Sequence, residues 1–208
     1  PTVIRAINDL SVRGAPAIGI AAAFGVVLAA REQLANGRAI RNDHFVAALT
    51  AINESRPTAI NLAWAVKHME SLVAAGAGAD ELEQAAEAIH REERENNQTM
   101  AKLGAELIAP GSRVLTVCNT GGLATGGSGT ALAVIIEAWR QQRLQEAFAA
   151  ETRPWFQGAR LTTWELQRAG VRHRLVVDSA VPWAIKQQQV DWVIVGADRV
   201  VANGDTAN

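Results

Sequence analysis

The spacing of hydrophobic and polar positions along this chain changes once, near residue 110. Before that point apolar residues recur at the three-to-four-residue interval of helices. "PAIGIAAAFGVVLAA" (16–30) is apolar on every side and rich in Ala and Gly, so it reads as a buried helix. It is shorter than the ~20 residues a membrane span needs. A polar connector, "NGRAIRND" (36–43), leads to two further helical segments, "HFVAALTAINES" and "PTAINLAWAVKHMESLVAAG". In the second, Ile60, Ala63, Trp64, Val66 and Met69 are expected to share a broad apolar face, with Pro57 in the first turn, where its missing N–H costs nothing. "GADELEQAAEAIHREERENNQTMAKLGAELI" is a long amphipathic helix pattern with "HREERENN" on a solvated face. Pro110 and Gly111 should end it.

Beyond residue 110, short β-branched runs alternate with helical patterns. "RVLTVCN", "AFAAETRP", "HRLVVDSA" and "VDWVIVGADRV" read as strands, although "RQQRLQEAFAA" gives only a poor strand pattern before "ETRP". "GTALAVIIEAWRQQR", "GARLTTWELQRAG" and "VPWAIKQQ" read as helices, with Gly170 placed to end the second at positive φ. Strands apolar on both faces and separated by helices imply a parallel sheet. The expected fold is therefore α/β: a helical N-terminal domain, residues 1–110, followed by a Rossmann-like parallel-sheet domain, residues 111–208. The chain starts at Pro1 without Met and stops in the turn-like "ANGDTAN". It is expected to be truncated at both ends, since the last strand calls for a further helix and strands.

Composition narrows the classes. The chain has 208 residues, 49% of them hydrophobic and 20% charged, with a net charge of −1. Nothing electrostatic favours nucleic acid or an anionic membrane. The single cysteine, Cys118, rules out an internal disulfide and a multi-cysteine zinc site, which makes a reducing cytoplasm the expected compartment. No basic segment precedes an apolar run and cleavage site, so no signal peptide is expected. The four histidines have no metal-ligand spacing, and the six tryptophans are spread out, as expected for core or interface packing.

In an open parallel sheet, ligands bind beyond the carboxyl ends of the strands. By position that selects Cys118-Asn119, Glu151-Thr152-Arg153, Asp178-Ser179 and Asp198-Arg199. Glu151, Arg153 and Asp178 are expected to make structural hydrogen bonds. The loop after the first strand, "NTGGLATGGSG", lacks G-x-G-x-x-G and G-x-x-x-x-G-K-[ST], so neither a dinucleotide fingerprint nor a P-loop is present. Two readings stay open for it: a flexible turn, or a cradle for a phosphate or sugar. Taken alone, Cys118 is either inert core or a reactive thiol, and Asp198 either a turn cap or a partly desolvated carboxyl suited to proton transfer. Arg13 and Arg56 are either surface charges or anion ligands.

Five segments settle more. "RGAPAIG" (13–19), "RPTAINLAWA" (56–65), "CNTGGLAT" (118–125), "ETRPWFQGARLTTWEL" (151–166) and "GADRVVANGDTAN" (196–208) resemble the methylthioribose-1-phosphate isomerase family. That family is related to the regulatory subunits of translation initiation factor 2B and to ribose-1,5-bisphosphate isomerase. The resemblance implies an aldose–ketose isomerase of methionine salvage that uses no metal and no organic cofactor. Its substrate would be the small sugar phosphate 5-methylthioribose 1-phosphate. It implies Cys118 and Asp198 as catalytic residues. It implies substrate binding by Arg13, Gly14, Ala15, Arg56, Gln157 and Asn208, the last being the first member of an Asn-Lys pair. A homodimer with no nucleic-acid or membrane partner is expected. The alternatives are ribose-1,5-bisphosphate isomerase and a non-catalytic regulatory subunit. A non-catalytic relative has no chemical need for both Cys118 and Asp198.

Overall fold

The all-round apolar segment after Gly14 forms the axis of the first part of the computed structural model, which describes residues 1–207. Helix α1 (Thr2–Asn8) precedes α2 (Ala15–Ala35), α3 (Asp43–Glu54), α4 (Ile60–Ala74) and α5 (Ala79–Leu107). At 21 residues, α2 is long and apolar enough to cross a membrane by length and composition. Its Ile18, Ala22, Ala23, Val26 and Ala30 are instead buried in one core with Ile7, Phe45, Leu49, Leu62 and Met69, which is the packing of a core helix. Gly19 allows α4 to come close: a Cβ there would lie 3.0 Å from the Asn61 carbonyl oxygen. Asn42 caps α3, its side chain accepting from the Phe45 amide at 3.1 Å.

Two expectations for α4 are corrected. Its buried face is Leu62, Ala65, Val66, Met69 and Val73, whereas Ile60, Ala63 and Trp64 are exposed. Helical spacing puts Ile60, Ala63 and Trp64 on the same side as Lys67, His68, Glu70 and Ser71, so the polar stripe carries them into solvent. Pro57 lies ahead of the helix, in a turn closed by the Ala59 amide on the Arg56 carbonyl at 2.9 Å. Second position in such a turn suits its fixed φ.

The chain divides into two compact units, Pro1–Glu93 and Arg94 onward. The division falls within α5 rather than at Pro110, because Ala105 and Ile108 belong to the second unit's core. In that unit β1 (Ser112–Thr116), β2 (Leu144–Ala150), β3 (His173–Val176) and β4 (Trp192–Val193) form one parallel sheet in the order β3-β2-β1-β4. Helices α6 (Ala131–Arg140), α7 (Thr163–Arg168) and α8 (Val181–Gln187) connect the strands. One core holds Val114, Leu132, Ile135, Ala147 and Leu166; another holds Leu115, Phe148 and Ala184. β2 is a full strand despite its polar lead-in, because β1 and β3 hydrogen-bond it on both sides. Gly170 ends α7 at φ +69° as expected.

The last strand is shorter than its apolar run suggests. β4 covers two residues, and Arg199–Val200 (β5) pairs instead with Thr206–Ala207 (β6) in an antiparallel hairpin. Among the described residues β4 pairs only with β1, and Asp191 at its start accepts from the Arg113 amide at 2.8 Å. The tryptophans are not core residues: Trp64, Trp155, Trp164, Trp183 and Trp192 are exposed, and Trp139 is only partly buried.

The corrected α4 face has a measurable consequence. Leu62→Ala should cost about 2–5 kcal/mol, the range for a buried leucine, and Ile60→Ala should stay within about 0.5 kcal/mol. Denaturant unfolding of both variants checks the assignment; equal losses would return Ile60 to the core.

Candidate active site

β1 ends at Thr116, and two residues later the backbone of Cys118 turns into the left-handed region at φ +71°. A non-glycine residue held there stores strain on the order of 1–3 kcal/mol and needs its surroundings to hold it. Those surroundings are two threonines. The Cys118 amide donates to Thr152 Oγ1 at 2.8 Å, and Thr162 Oγ1 donates to the Cys118 carbonyl at 2.6 Å. Thr152 is itself left-handed, at φ +57°, and its hydroxyl donates to the Ala150 carbonyl at 3.2 Å. Gln157 points its Nε2 at the Cys118 sulfur, 3.5 Å away. Gln157 and Thr162 lie at the two ends of a wide π turn, Gly158–Thr162, which presents both to Cys118. Only glycine fits at 158, where a Cβ would sit 1.8 Å from the Ala150 oxygen. Cys118 is half-buried.

The glycine loop is neither a loose turn nor an empty cradle. Glu165 Oε2 accepts from the Gly122 amide at 2.7 Å, and Oε1 accepts from Asn119 Nδ2 at 2.9 Å. The carboxylate lies so close to Gly121 that a Cβ there would be 2.2 Å from it. Thr125 Oγ1 accepts from the amides of Gly127 and Gly129 at 3.3 and 3.1 Å. Thr120 Oγ1 accepts from the Leu132 amide in the first turn of α6 at 3.1 Å. The amides of Gly122, Gly127 and Gly129 are thus already bonded, and a carboxylate faces the turn at Gly121 and Gly122. These bonds order the loop that follows Cys118 and Asn119. Two buried acceptors near Cys118, Asn119 Oδ1 and Gln157 Oε1, have no hydrogen-bond partner among the described residues. Such atoms suit the hydroxyl groups of a sugar.

Asp178 accepts from the Thr152 and Arg153 amides at 2.9 and 2.7 Å, and Glu151 pairs with Arg153 at 2.9 Å, both structural as expected. Asp198 follows β4 and Gly196, where a Cβ would lie 3.0 Å from the Thr120 methyl carbon. It therefore lies beyond the carboxyl end of the strand next to β1. The expected desolvation is absent, because Asp198 is exposed. Among the described residues no three His, Cys, Asp or Glu side chains converge on a metal position.

Arg13, Gly14, Ala15 and Arg56 belong to the first unit. Gly14, at φ +91°, caps α2 by its backbone, and neither α2 nor α4 has a side-chain cap. Gly19 against Asn61 puts the starts of these two helices side by side. Arg13 and Arg56, one ahead of each helix, are half-buried and have no ion-pair partner among the described residues. Two uncapped helix starts and two unpaired guanidinium groups make this end of the unit attractive to an anion. Asn208 lies outside the described residues. Sequence selected Thr152 only by its place at a strand end, and did not single out Thr162 or Glu165. The signal for all three was membership of "ETRPWFQGARLTTWEL", from which they reach Cys118 and its loop.

Residues 11–208 match the initiation factor 2 subunit family. The chain belongs to that family. Within it, the chain is 55% identical to methylthioribose-1-phosphate isomerase of Xanthomonas campestris pv. campestris (strain B100), over 99% of this chain and 59% of the relative. It is 54% identical to the enzyme of the same name from Alkalilimnicola ehrlichii, over 98% and 59%. The chain thus spans about three fifths of the curated relatives it matches. Among solved structures it resembles 5-methylthioribose 1-phosphate isomerase from Pyrococcus horikoshii OT3, with a TM-score of 0.85 and 39% identity over 100% of this chain and 60% of that one. It also resembles the delta subunit of translation initiation factor eIF-2B from A. fulgidus, with a TM-score of 0.77 and 39% identity over 96% and 60%. These family structures support the α/β architecture of a helical part followed by a parallel sheet.

Glu165 should be a structural keystone of the loop. Glu165→Gln replaces one acceptor oxygen with an NH2 group facing an existing donor, and leaving a part-buried donor unmatched costs about 1–3 kcal/mol. A drop of that size in unfolding free energy is expected; an unchanged midpoint and slope in denaturant would show that the carboxylate merely rests against Gly121.

Proposed function

We propose that this chain is the greater part of an aldose–ketose isomerase that converts 5-methylthioribose 1-phosphate into 5-methylthioribulose 1-phosphate. The observation that carries the reading is the treatment of Cys118. A lone thiol is held in a strained backbone conformation, with a side-chain amide donor aimed at its sulfur, beyond the end of a parallel strand. The 55% identity to enzymes of that name supports the choice of substrate.

The phosphate on the anomeric oxygen prevents the sugar ring from opening spontaneously, so the protein must assist. Opening breaks the bond between C1 and the ring oxygen, and that oxygen takes a proton. Isomerisation then moves hydrogen from C2 to C1 while the C2 hydroxyl releases its proton, which balances the one taken by the ring oxygen; C2 is oxidised and C1 reduced with no outside redox partner. Asp198 is assigned to proton transfer during ring opening and closure, and Cys118 to the hydrogen shift at C2 and C1. Arg13 and Arg56 bind the phosphate through charge-assisted hydrogen bonds, with Gly14 and Ala15 offering backbone amides near the start of α2. Gln157 orients the sugar beside Cys118. In this reading the protein works as a homodimer in the cytoplasm, and the exposed Ile60 and Trp64 on α4 supply apolar surface for self-association.

Assaying 5-methylthioribose 1-phosphate and ribose 1,5-bisphosphate side by side separates this reading from its nearest alternative. Turnover of the bisphosphate alone, or of neither, would overturn it. Cys118→Ser and Asp198→Asn should each lower kcat by about 10²–10⁴-fold, with much smaller changes in binding. Near-parental kcat in either would remove that residue from the chemistry. Arg13→Ala and Arg56→Ala should each weaken binding of a product analogue by about 10- to 150-fold, the loss expected for a charged hydrogen bond. Calorimetry is the check, and unchanged affinity would return the arginine to the surface.

A further inference from the structure

We infer that Thr152 and Thr162 are positioning residues whose side-chain hydroxyls hold the Cys118 peptide in the left-handed conformation that presents its sulfur to Gln157. The inference rests on the assignment of Cys118 to the reaction and goes beyond it by naming what sets the thiol's direction.

Both backbone polar groups of Cys118 are bonded to side chains, and both side chains are threonines from the segment that follows β2. Thr152 Oγ1 accepts the Cys118 N–H at 2.8 Å and donates to the Ala150 carbonyl at 3.2 Å. That hydroxyl bridges the end of one strand to the residue just past the end of its neighbour. Thr162 Oγ1 donates to the Cys118 carbonyl at 2.6 Å and accepts from Asn119 Nδ2 at 3.4 Å. Each hydroxyl is thus used as donor and acceptor at once, and neither can rotate away without leaving a partner unmatched.

The geometry around these bonds is equally constrained. Thr162 is 1% exposed, so the alternative of bonding to water is closed to it. Thr152 is held at φ +57° by Asp178, which accepts from its amide at 2.9 Å, and Gly158 admits no side chain because the Ala150 oxygen occupies that space. An L-residue such as Cys118 prefers φ below zero. Without the two hydroxyls its peptide would relax toward an extended conformation and swing the Cα–Cβ bond away from Gln157 Nε2, now 3.5 Å from the sulfur. A misplacement of about 1 Å in a reacting group can cost on the order of 10²-fold in rate.

The test uses Thr152→Val and Thr162→Val, which keep the shape and remove the hydroxyl, and Thr152→Ser and Thr162→Ser, which keep the hydroxyl. In the full-length protein each Val variant should lower kcat for 5-methylthioribose 1-phosphate by about 10- to 100-fold, with KM moving less than about threefold. The rate at which iodoacetamide labels Cys118, followed between about pH 6 and pH 10, should change profile in the Val variants. The Ser variants should recover both properties. Labelling needs no turnover, so the two ideas fail separately: no activity in the parent, with labelling still tracking the hydroxyls, sinks the isomerase reading alone. Parental kcat together with a parental labelling profile in the Val variants would overturn the positioning role. So would Ser variants as impaired as the Val variants. If a Val variant does not fold, amide hydrogen exchange in the unaltered protein decides: a protected Cys118 N–H supports the bond to Thr152, and a freely exchanging one overturns it.

Discussion

Parallel pairing of β1 with its neighbours is the constraint on which the candidate site depends. Thr116 of β1 is in register with Ala149 of β2, and Ala150 of β2 with Val176 of β3. Three strands therefore end level, and the residues following them (Cys118, Thr152 and Asp178) emerge side by side although they are far apart in sequence. Parallel strands all leave the sheet in the same direction, so their polar exits collect on one edge. The buried apolar faces that drive this pairing contain Leu115 and Phe148 on one side and Val114, Ala147 and Leu166 on the other. A site of strained backbone can persist there because the sheet beneath it is held by burial rather than by the site's own bonds.

Polar side chains do two different jobs around that edge. Thr120, Thr125 and Glu165 take up amide groups of the glycine loop and the first turn of α6, making a rigid support out of a sequence that resembles a phosphate cradle. Asn119 and Gln157 keep an unmatched buried oxygen each. Support and readiness are separated: amides needed for rigidity are bonded, whereas acceptors suited to hydroxyl groups are left open. The first unit uses opposite means to attract charge, leaving the starts of α2 and α4 without side-chain caps and placing Arg13 and Arg56 beside them with no ion-pair partner among the described residues.

Much of this was legible from the chain alone. The change of apolar period near residue 110 implied helices followed by a parallel sheet, because a period of 3.6 and a run of β-branched residues bury different surfaces. The strand-exit rule selected Cys118, Thr152, Asp178 and Asp198 before any coordinates, and the five motifs tied Arg13, Arg56 and Gln157 to the same family. Helical spacing also sets Leu62, Ala65, Val66, Met69 and Val73 of α4 opposite Lys67, His68 and Ser71, so its buried face was legible too. Periodicity could not show that β4 covers only two residues, because pairing between strands is not a local property.

What the sequence by itself determined was therefore the order of elements, the place where the fold changes character and the residues available for chemistry, since these follow from local spacing and residue type. Tertiary structure alone decided what those residues do to one another. Cys118 is left-handed because hydroxyls 34 and 44 positions away hold its amide and carbonyl. The glycine loop is ordered because Glu165, 43 positions past Gly122, takes up the Gly122 amide. Contacts of that range are set by which strand lies beside which, and no local pattern of apolar and polar residues encodes it.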